Sequence, residues 1–324
     1  RAMIRKIKKK TWRVYSEKPQ LLNLTTKETK MQFMDIKNGR FYLGDCLEVM
    51  KEIPDGVIDM VLTDPPYGTT ACKWDSIIPL EPMWEQLKRI VKPNGAIVMT
   101  ASQPFTTALI ASNMREFRYC WYWKKSVGSG FQNAKRQPLR LIEEVAVFYR
   151  KPPQYIPQGL VRIDAPRVNK ISAADSIVGG TSGRGGLRTV GNEWVQEFTN
   201  YPRNVLEFPA PMAGRQHPTQ KPVALMEYLI KTYTNECDWV LDFAAGSGTT
   251  AIAAENTGRK WVCIEQNEEY ATKAVERIWN HEATPQEKSV SEVNLLGRAM
   301  IRKIKKKTWR VYSEKADGTS GKTE

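Results

Sequence analysis

Two short motifs in this chain combine residue types that could do chemistry. The first is Asp64-Pro65-Pro66-Tyr67-Gly68, which follows directly on the apolar run VIDMVLTD at 57–64. Two prolines stiffen the backbone there and remove two N–H donors, while their carbonyls stay as acceptors. A carboxylate, a fixed carbonyl and an aromatic face then stand together at the carboxyl end of a strand. That set suits a planar base bearing an exocyclic NH2. Asp64 accepts one N–H, the Pro65 carbonyl accepts the other, and Tyr67 stacks on the ring. The same spacing also fits a proline-terminated strand with a core tyrosine, because Asp-Pro-Pro is common turn chemistry.

The second motif is Asp242-Phe243-Ala244-Ala245-Gly246-Ser247-Gly248-Thr249-Thr250, between an expected strand and an expected helix. Glycines at such a turn let a ligand approach the backbone, and a helix N-terminus presents free N–H groups. Glu265 closes the next strand, 15 residues after Thr250, where an acidic residue commonly binds ribose hydroxyls. The run is not GxGxxG and lacks the lysine of a phosphate-binding loop. A cofactor with a ribose but no required phosphate fits it better.

Both motifs need strands to hold them, and the chain supplies these by alternation. Strands are expected at 41–46, 57–64, 96–101, 117–123, 143–149, 239–244 and 260–265. Helices are expected at 80–91, 104–112, 223–233, 251–256 and 268–281, the last with Tyr270, Ala274, Val275 and Ile278 on one side. Gly258 caps the helix before it. Strands alternating with helices argue for a mostly parallel α/β sheet that binds ligands at the strands' carboxyl ends. Periodicity fails over 151–216, a Pro- and Gly-punctuated stretch too long for an ordinary connection. Residues 126–130, SVGSG, read as a loop.

Composition narrows the class. The 324 residues carry a net charge of +14, but residues 1–18 recur unchanged at 298–315. Each copy holds eight Lys or Arg against one Glu, so the two copies account for the whole excess and the remainder is balanced. The duplicate is either an artefact of gene prediction or sequence assembly, or a pair of basic arms that grip phosphates. Five scattered cysteines, none in CxxC spacing, and two histidines disfavour a disulfide scaffold and a metal site. The absence of an 18-residue apolar window and of an apolar signal core leads to the expectation of a cytoplasmic protein that does not span a membrane. Trp121, Tyr122, Trp123, Lys124 and Lys125 read either as a nucleic-acid surface with interleaved aromatics or as a strand whose alternate members are core.

The two motifs are joined by Gly44-Asp45-Cys46-Leu47, Ser102-Gln103-Pro104-Phe105, Ala134-Lys135-Arg136-Gln137-Pro138-Leu139 and His217-Pro218-Thr219-Gln220-Lys221-Pro222. With them, the chain over 34–282 resembles the S-adenosylmethionine-dependent DNA methyltransferases that methylate exocyclic amines. The catalytic motif precedes the cofactor motif, the order of the permuted β class. The resemblance implies a Rossmann-like α/β methyltransferase fold with a mostly parallel central sheet, a circularly permuted motif order and a loop-rich target-recognition insertion. It divides the chain into a basic extension (1–30), a catalytic half (31–150), a target-recognition region (151–216), a cofactor-binding half (217–282) and a tail (283–324).

Roles follow by resemblance. Asp64, Pro65, Pro66 and Tyr67 would hold a base flipped out of duplex DNA. Gly246, Ser247, Gly248, Thr249 and Thr250 would line the methionine end of S-adenosylmethionine, with Asp242, Phe243 and Ala244 beside them. Glu265 would take the ribose hydroxyls, Asp45 the adenine amine of the cofactor, and Thr219 and Lys221 would close over its amino-acid part. Lys124, Lys135, Arg136, Arg140, Arg184, Arg188 and Arg215 are candidate contacts to double-stranded DNA. In the family an Asp at position 64 mostly accompanies adenine N6, and a Ser cytosine N4, so adenine is the expected target; the alternatives are a cytosine-N4 methyltransferase and a catalytically silent DNA-binding module of the same fold. No metal is implied. A homodimer and a cognate restriction endonuclease are compatible with the class, but no sequence feature marks either. One departure stands out. Where the family reads Asp-Pro-Phe, this chain has Asp242-Phe243-Ala244, so the ring that packs on the cofactor is displaced or lost.

Overall fold

The computed structural model of the protein describes residues 3–7, 11–15, 32–70, 75–170, 193–210 and 220–281. Met3–Ile7 (β1) and Thr11–Tyr15 (β2) pair with each other as an antiparallel ribbon. In chain order there follow β3 (Gln32–Ile36), β4 (Gly39–Leu43), α1 (Cys46–Glu52), β5 (Ile58–Thr63), α2 (Leu80–Ile90), β6 (Val91–Ala101) and α3 (Phe105–Ser112). Next come β7 (Phe117–Ser129), β8 (Arg140–Phe148), β9 (Val161–Lys170), β10 (Glu193–Thr199) and β11 (Val205–Glu207). The chain returns to alternation with α4 (Val223–Tyr233), β12 (Trp239–Asp242), α5 (Thr249–Asn256), β13 (Lys260–Glu265) and α6 (Glu268–Asn280).

Nine strands form one sheet in the order β11-β7-β8-β6-β5-β12-β13-β4-β3. Its neighbours pair parallel except at β7–β8, β6–β8 and β3–β4. This is the α/β, mostly parallel sheet that the alternation requires. The central strands read as unbroken apolar runs because both faces are covered. Along β5, Ile58 and Val61 belong to one core cluster and Met60 and Leu62 to the other. The first cluster is filled by α1, α2 and α3, the second by α4, α5 and α6. Chain direction reverses between β5 and β12: β5 leads outward to β6, and β12 leads the other way to β13. In open parallel sheets that reversal leaves a crevice at the carboxyl ends, where ligands bind.

Two expectations need correction. Residues 126–129 are not a loop, since β7 runs through to Ser129 with a shift of register against β8 after Lys124. Nor is 151–216 without regular structure. Tyr155–Asn204 forms a compact unit of its own, in which β9 and β10 pair antiparallel. Its strands gave no sequence signal because apolar residues such as Val161, Val168 and Val195 stay exposed, so no buried face imposes a period of two. The C-terminal copy of the duplicated segment lies outside the described residues, as do Thr219, Arg184, Arg188 and Arg215.

Candidate active site

The sheet order brings one residue after another to the carboxyl edge. Thr100 stands near the end of β6, Asp64 directly after β5, Asp242 at the end of β12, Glu265 at the end of β13 and Asp45 two residues past β4. Thr63 bridges the reversal point by donating its hydroxyl to Asp242 Oδ1 at 2.7 Å.

Asp64 is held on several sides. Its Oδ1 accepts the Tyr67 hydroxyl at 2.6 Å, the Thr100 hydroxyl, and one N–H of the Lys221 ammonium at 2.8 Å. Its Oδ2 accepts only Lys221, at 2.7 Å, among the described residues. The Tyr67 ring stacks on Phe105 with centroids 5.3 Å apart, and Lys221 Nζ stands 5.6 Å from the Tyr67 centroid. One face of Tyr67 is therefore already covered, and a base could stack only on the other. Burial, and then the charges of Asp64 and Glu143, push the Tyr67 phenol well above its ordinary pKa, so it acts as a donor. After Tyr67 the chain is tied by Asp75. Its carboxylate accepts the backbone N–H groups of Gly68, Thr69 and Thr70 at 2.9, 2.9 and 2.7 Å. Gly68 sits at φ +65, where an added Cβ would lie 2.9 Å from Ile77, so only glycine fits.

The Lys221 ammonium, expected to close over the amino-acid part of the cofactor, pairs with Asp64, with Glu143 Oε2 at 3.3 Å on its other side. Lys125 in turn pairs with Glu143 Oε1 at 2.9 Å and reaches Ser129 Oγ at 3.0 Å. Asp64, Lys221, Glu143 and Lys125 thus alternate in sign through a region where Lys221 is 5% exposed. Burial works against the Lys221 charge, but Asp64 and then Glu143 outweigh it and hold its pKa above the ordinary lysine value. For Glu143, burial is likewise outweighed by Lys221 and Lys125, which hold its carboxyl below the ordinary range.

At the second motif the working surface is backbone. Gly246 and Gly248 take φ +50 and +72, and a Cβ on Gly248 would meet Ile278 at 2.9 Å. Glu265 Oε2 accepts Gly246 N–H at 2.8 Å and Oε1 accepts Asn267 N–H at 2.8 Å. Each carboxylate oxygen keeps a lone pair beyond the bond it makes. Ser247, Thr249 and Thr250, expected to line a cofactor, are all buried. Ser247 and Thr249 lie within 3.2 Å of each other and share Arg277, whose Nη1 donates to Ser247 O at 2.9 Å and Thr249 Oγ1 at 3.1 Å. Their side chains hold the loop from behind. Asp242 is equally occupied, accepting Thr63 and the Ala244 N–H. Burial pushes its carboxyl up to about 6. The Phe243 ring is 2% exposed, in the core cluster with α1, α2 and α3. Asp45 caps α1 by accepting Leu47 and Glu48 N–H groups through Oδ1.

The aromatic run on β7 resolves as core. Trp121 and Trp123 are each 3% exposed and donate their indole N–H groups to Tyr233 Oη and Phe208 O. Lys124 remains on the surface but is paired with Glu207 at 2.9 Å. By contrast, residues 131–142, which include Lys135, Arg136 and Arg140 and no acidic residue, are exposed throughout. Among the described residues no group of His, Cys, Asp and Glu could hold a metal ion, and no helix is long and apolar enough to cross a membrane. Burial raises Cys46 to about 12 and Cys120 to about 11, so neither is a ready thiolate.

Sequence reasoning missed Thr100, Glu143, Asp75 and Arg277, and read Lys125 only within a possible nucleic-acid surface. Asp75 lies seven residues past Gly68 and carries no motif of its own. The others reach the site from strands and helices distant in the chain.

Comparison with known proteins agrees with this architecture. A family model described as DNA methylase matches residues 58–276, more than half of the chain, and the chain belongs to that family, the amino-group (N6 or N4) DNA methyltransferases. The type II methyltransferase M.HpaI of Haemophilus parainfluenzae is 24% identical over 74% of this chain and 74% of its own length. The DNA adenine methyltransferase YhdJ of Escherichia coli K12 is 27% identical over 72% of this chain and 81% of its own. In fold, the chain is similar to the cytosine-N4-specific PvuII DNA methyltransferase, with a TM-score of 0.53, 18% identity, and coverage of 82% of this chain and 93% of that one.

Proposed function

We propose that this DNA methyltransferase is adenine-specific, transferring the methyl group of S-adenosylmethionine to the N6 amine of an adenine flipped out of duplex DNA. The observation that carries the reading is Asp64. It is a carboxylate at the mouth of the crevice whose Oδ1 is filled by three donors and whose Oδ2 meets only one among the described residues. Oδ2 and the Pro65 carbonyl together accept the two N–H groups of an exocyclic amine. That interaction favours a pyramidal nitrogen and frees the lone pair that the ring otherwise delocalises. The cofactor supplies an electrophilic methyl on a sulfonium. Transfer to the amine would form the N–C bond and break the C–S bond with the bonding pair left on sulfur, and the proton that the amine then sheds would pass by way of Asp64 to solvent. Acceptors aimed at the nitrogen match the positive charge that develops there, and catalysis is otherwise positioning. No covalent enzyme intermediate is required, in keeping with the raised thiols.

The second motif suits the cofactor. The Gly246–Gly248 backbone can lie close to its methionine part, Glu265 keeps lone pairs for ribose hydroxyls, and Asp45 Oδ2 faces no cap donor. The basic, acid-free segment 131–142 fits a phosphate backbone and supports Lys135, Arg136 and Arg140 as DNA contacts. The Tyr155–Asn204 unit falls where target recognition is expected, and the motif order supports the permuted β class.

Tritiated S-adenosylmethionine and mixed-sequence duplex DNA, followed by nucleoside analysis, test the reading. Label in N6-methyladenine is the expected result. Label in N4-methylcytosine keeps the mechanism and replaces the base. No label in either nucleoside, with the cofactor bound, overturns it.

A further inference from the structure

Asp64 carries a difficulty for the reaction just described. In this arrangement its charge is answered by Lys221, which takes Oδ2, the oxygen an incoming amine needs. A neutralised carboxylate is also a weaker partner for a nitrogen that gains positive charge in the transition state. Lys221 therefore has to yield. At 5% exposure it cannot simply turn to water, and a buried ammonium without a partner is strongly disfavoured.

Glu143 supplies the alternative. It lies on β8, remote in sequence from both motifs, and is mostly buried. Its Oε1 is fixed by Lys125 at 2.9 Å. Its Oε2 is buried and has no hydrogen-bond donor among the described residues, yet stands 3.3 Å from Lys221 Nζ. A buried carboxylate oxygen left unsatisfied calls for an explanation. A shift of a few tenths of an ångström would bring the ammonium into hydrogen-bonding range of Oε2. We propose that Glu143 is a positioning residue for methyl transfer that acts through Lys221: it receives the Lys221 ammonium as the target amine takes Asp64 Oδ2. The inference rests on the reading that Asp64 accepts the amine. The four alternating charges then work as a hand-over, in which Lys221 holds the Asp64 side chain in place before the base arrives and frees its Oδ2 afterwards. Lys125 keeps Glu143 pointed at Lys221 throughout.

The test is single-turnover transfer from tritiated S-adenosylmethionine to mixed-sequence duplex DNA by the full chain. Cofactor and duplex binding are measured alongside. In Glu143→Gln, Lys221 has Asp64 as its sole carboxylate and stays there, so transfer slows at least about tenfold while both affinities hold within roughly twofold. Adding Lys221→Met to Glu143→Gln removes the obstruction and raises the rate above that of Glu143→Gln alone. Three outcomes overturn the proposal: a wild-type rate for Glu143→Gln, a double variant no faster than that single variant, or cofactor binding lost in step with the rate. If Glu143→Gln fails to fold by circular dichroism, Lys125→Met decides. Without Lys125 nothing keeps Glu143 aimed at Lys221, so transfer slows at least about tenfold while cofactor and duplex affinities hold, and a wild-type rate overturns the proposal. Asp64→Ala separates this proposal from the reading beneath it. If Asp64→Ala still transfers methyl groups, that reading fails. If Asp64→Ala is inactive and Glu143→Gln is unaffected, only the hand-over fails.

Discussion

At the end of β5 the working groups are charged side chains that face one another: Asp64 against Lys221, Lys221 against Glu143, Glu143 against Lys125. At the ends of β12 and β13 the charged side chains face backbone instead. Glu265 accepts Gly246 and Asn267 N–H groups, and Arg277 donates to Ser247 O. The first region is a chain of paired charges. The second is a rigid cradle whose useful surface is peptide. The contrast matches what each must do under the proposed function. A reacting amine changes charge during transfer and needs responsive acceptors, whereas a cofactor that only has to be held needs shape.

The largest expected effect falls on the side-chain region. Asp64→Ala should lower methyl transfer roughly a thousandfold or more, as the loss of a preorganised transition-state partner does, with cofactor affinity little changed by calorimetry. Glu143 is in place to keep Lys221 paired, so the variant should fold. A parallel loss of cofactor binding would erase the distinction between the regions.

Next comes Asp242, the hinge between them. Its carboxyl is pushed up to about 6, above the ordinary 3.8, by burial. A raised carboxyl contributes stability that is fully present below about pH 4 and is lost as the pH climbs through 6. Asp242→Asn should remove that decline, on the order of 3 kcal/mol at most, seen as a flatter melting temperature between pH 4 and pH 7. An unchanged pH profile would mean that Asp242 titrates normally.

In the cradle, single changes should cost less. Glu265→Ala should weaken cofactor binding by roughly 10- to 30-fold, the loss of charged hydrogen bonds, while kcat at saturating cofactor holds. A fall in kcat alone would give Glu265 a role in the chemistry. Arg277→Ala removes a prop behind the loop rather than a contact, and about a fivefold weakening is expected. The same calorimetric titration reads it, and an effect larger than that of Glu265→Ala would make the prop matter more than the contact it supports.

Each region was legible to a different degree. Asp64-Pro65-Pro66-Tyr67 and the glycine turn are local signals, because prolines and positive-φ glycines are dictated by the backbone at that point. The strands that carry them are buried on both faces and so stood out as apolar runs. What those runs concealed was inward orientation. Phe243, Ser247, Thr249 and Thr250, which the sequence offers as cofactor contacts, are buried. The same holds for Trp121 and Trp123, whose alternation was compatible with either face.

The sequence by itself determined the α/β alternation, the two motifs and their order, and the chemistry that an Asp-Pro-Pro-Tyr strand end can perform. Only the tertiary structure decided who stands beside Asp64. Thr100, Lys221 and Glu143 come from β6, the approach to α4 and β8, and they meet because sheet order, not chain order, sets the neighbours of β5. Buried charges leave no periodic mark along the chain. Their pairing is fixed by the need to neutralise one another away from water, and that need is met between residues as far apart as Asp64 and Lys221.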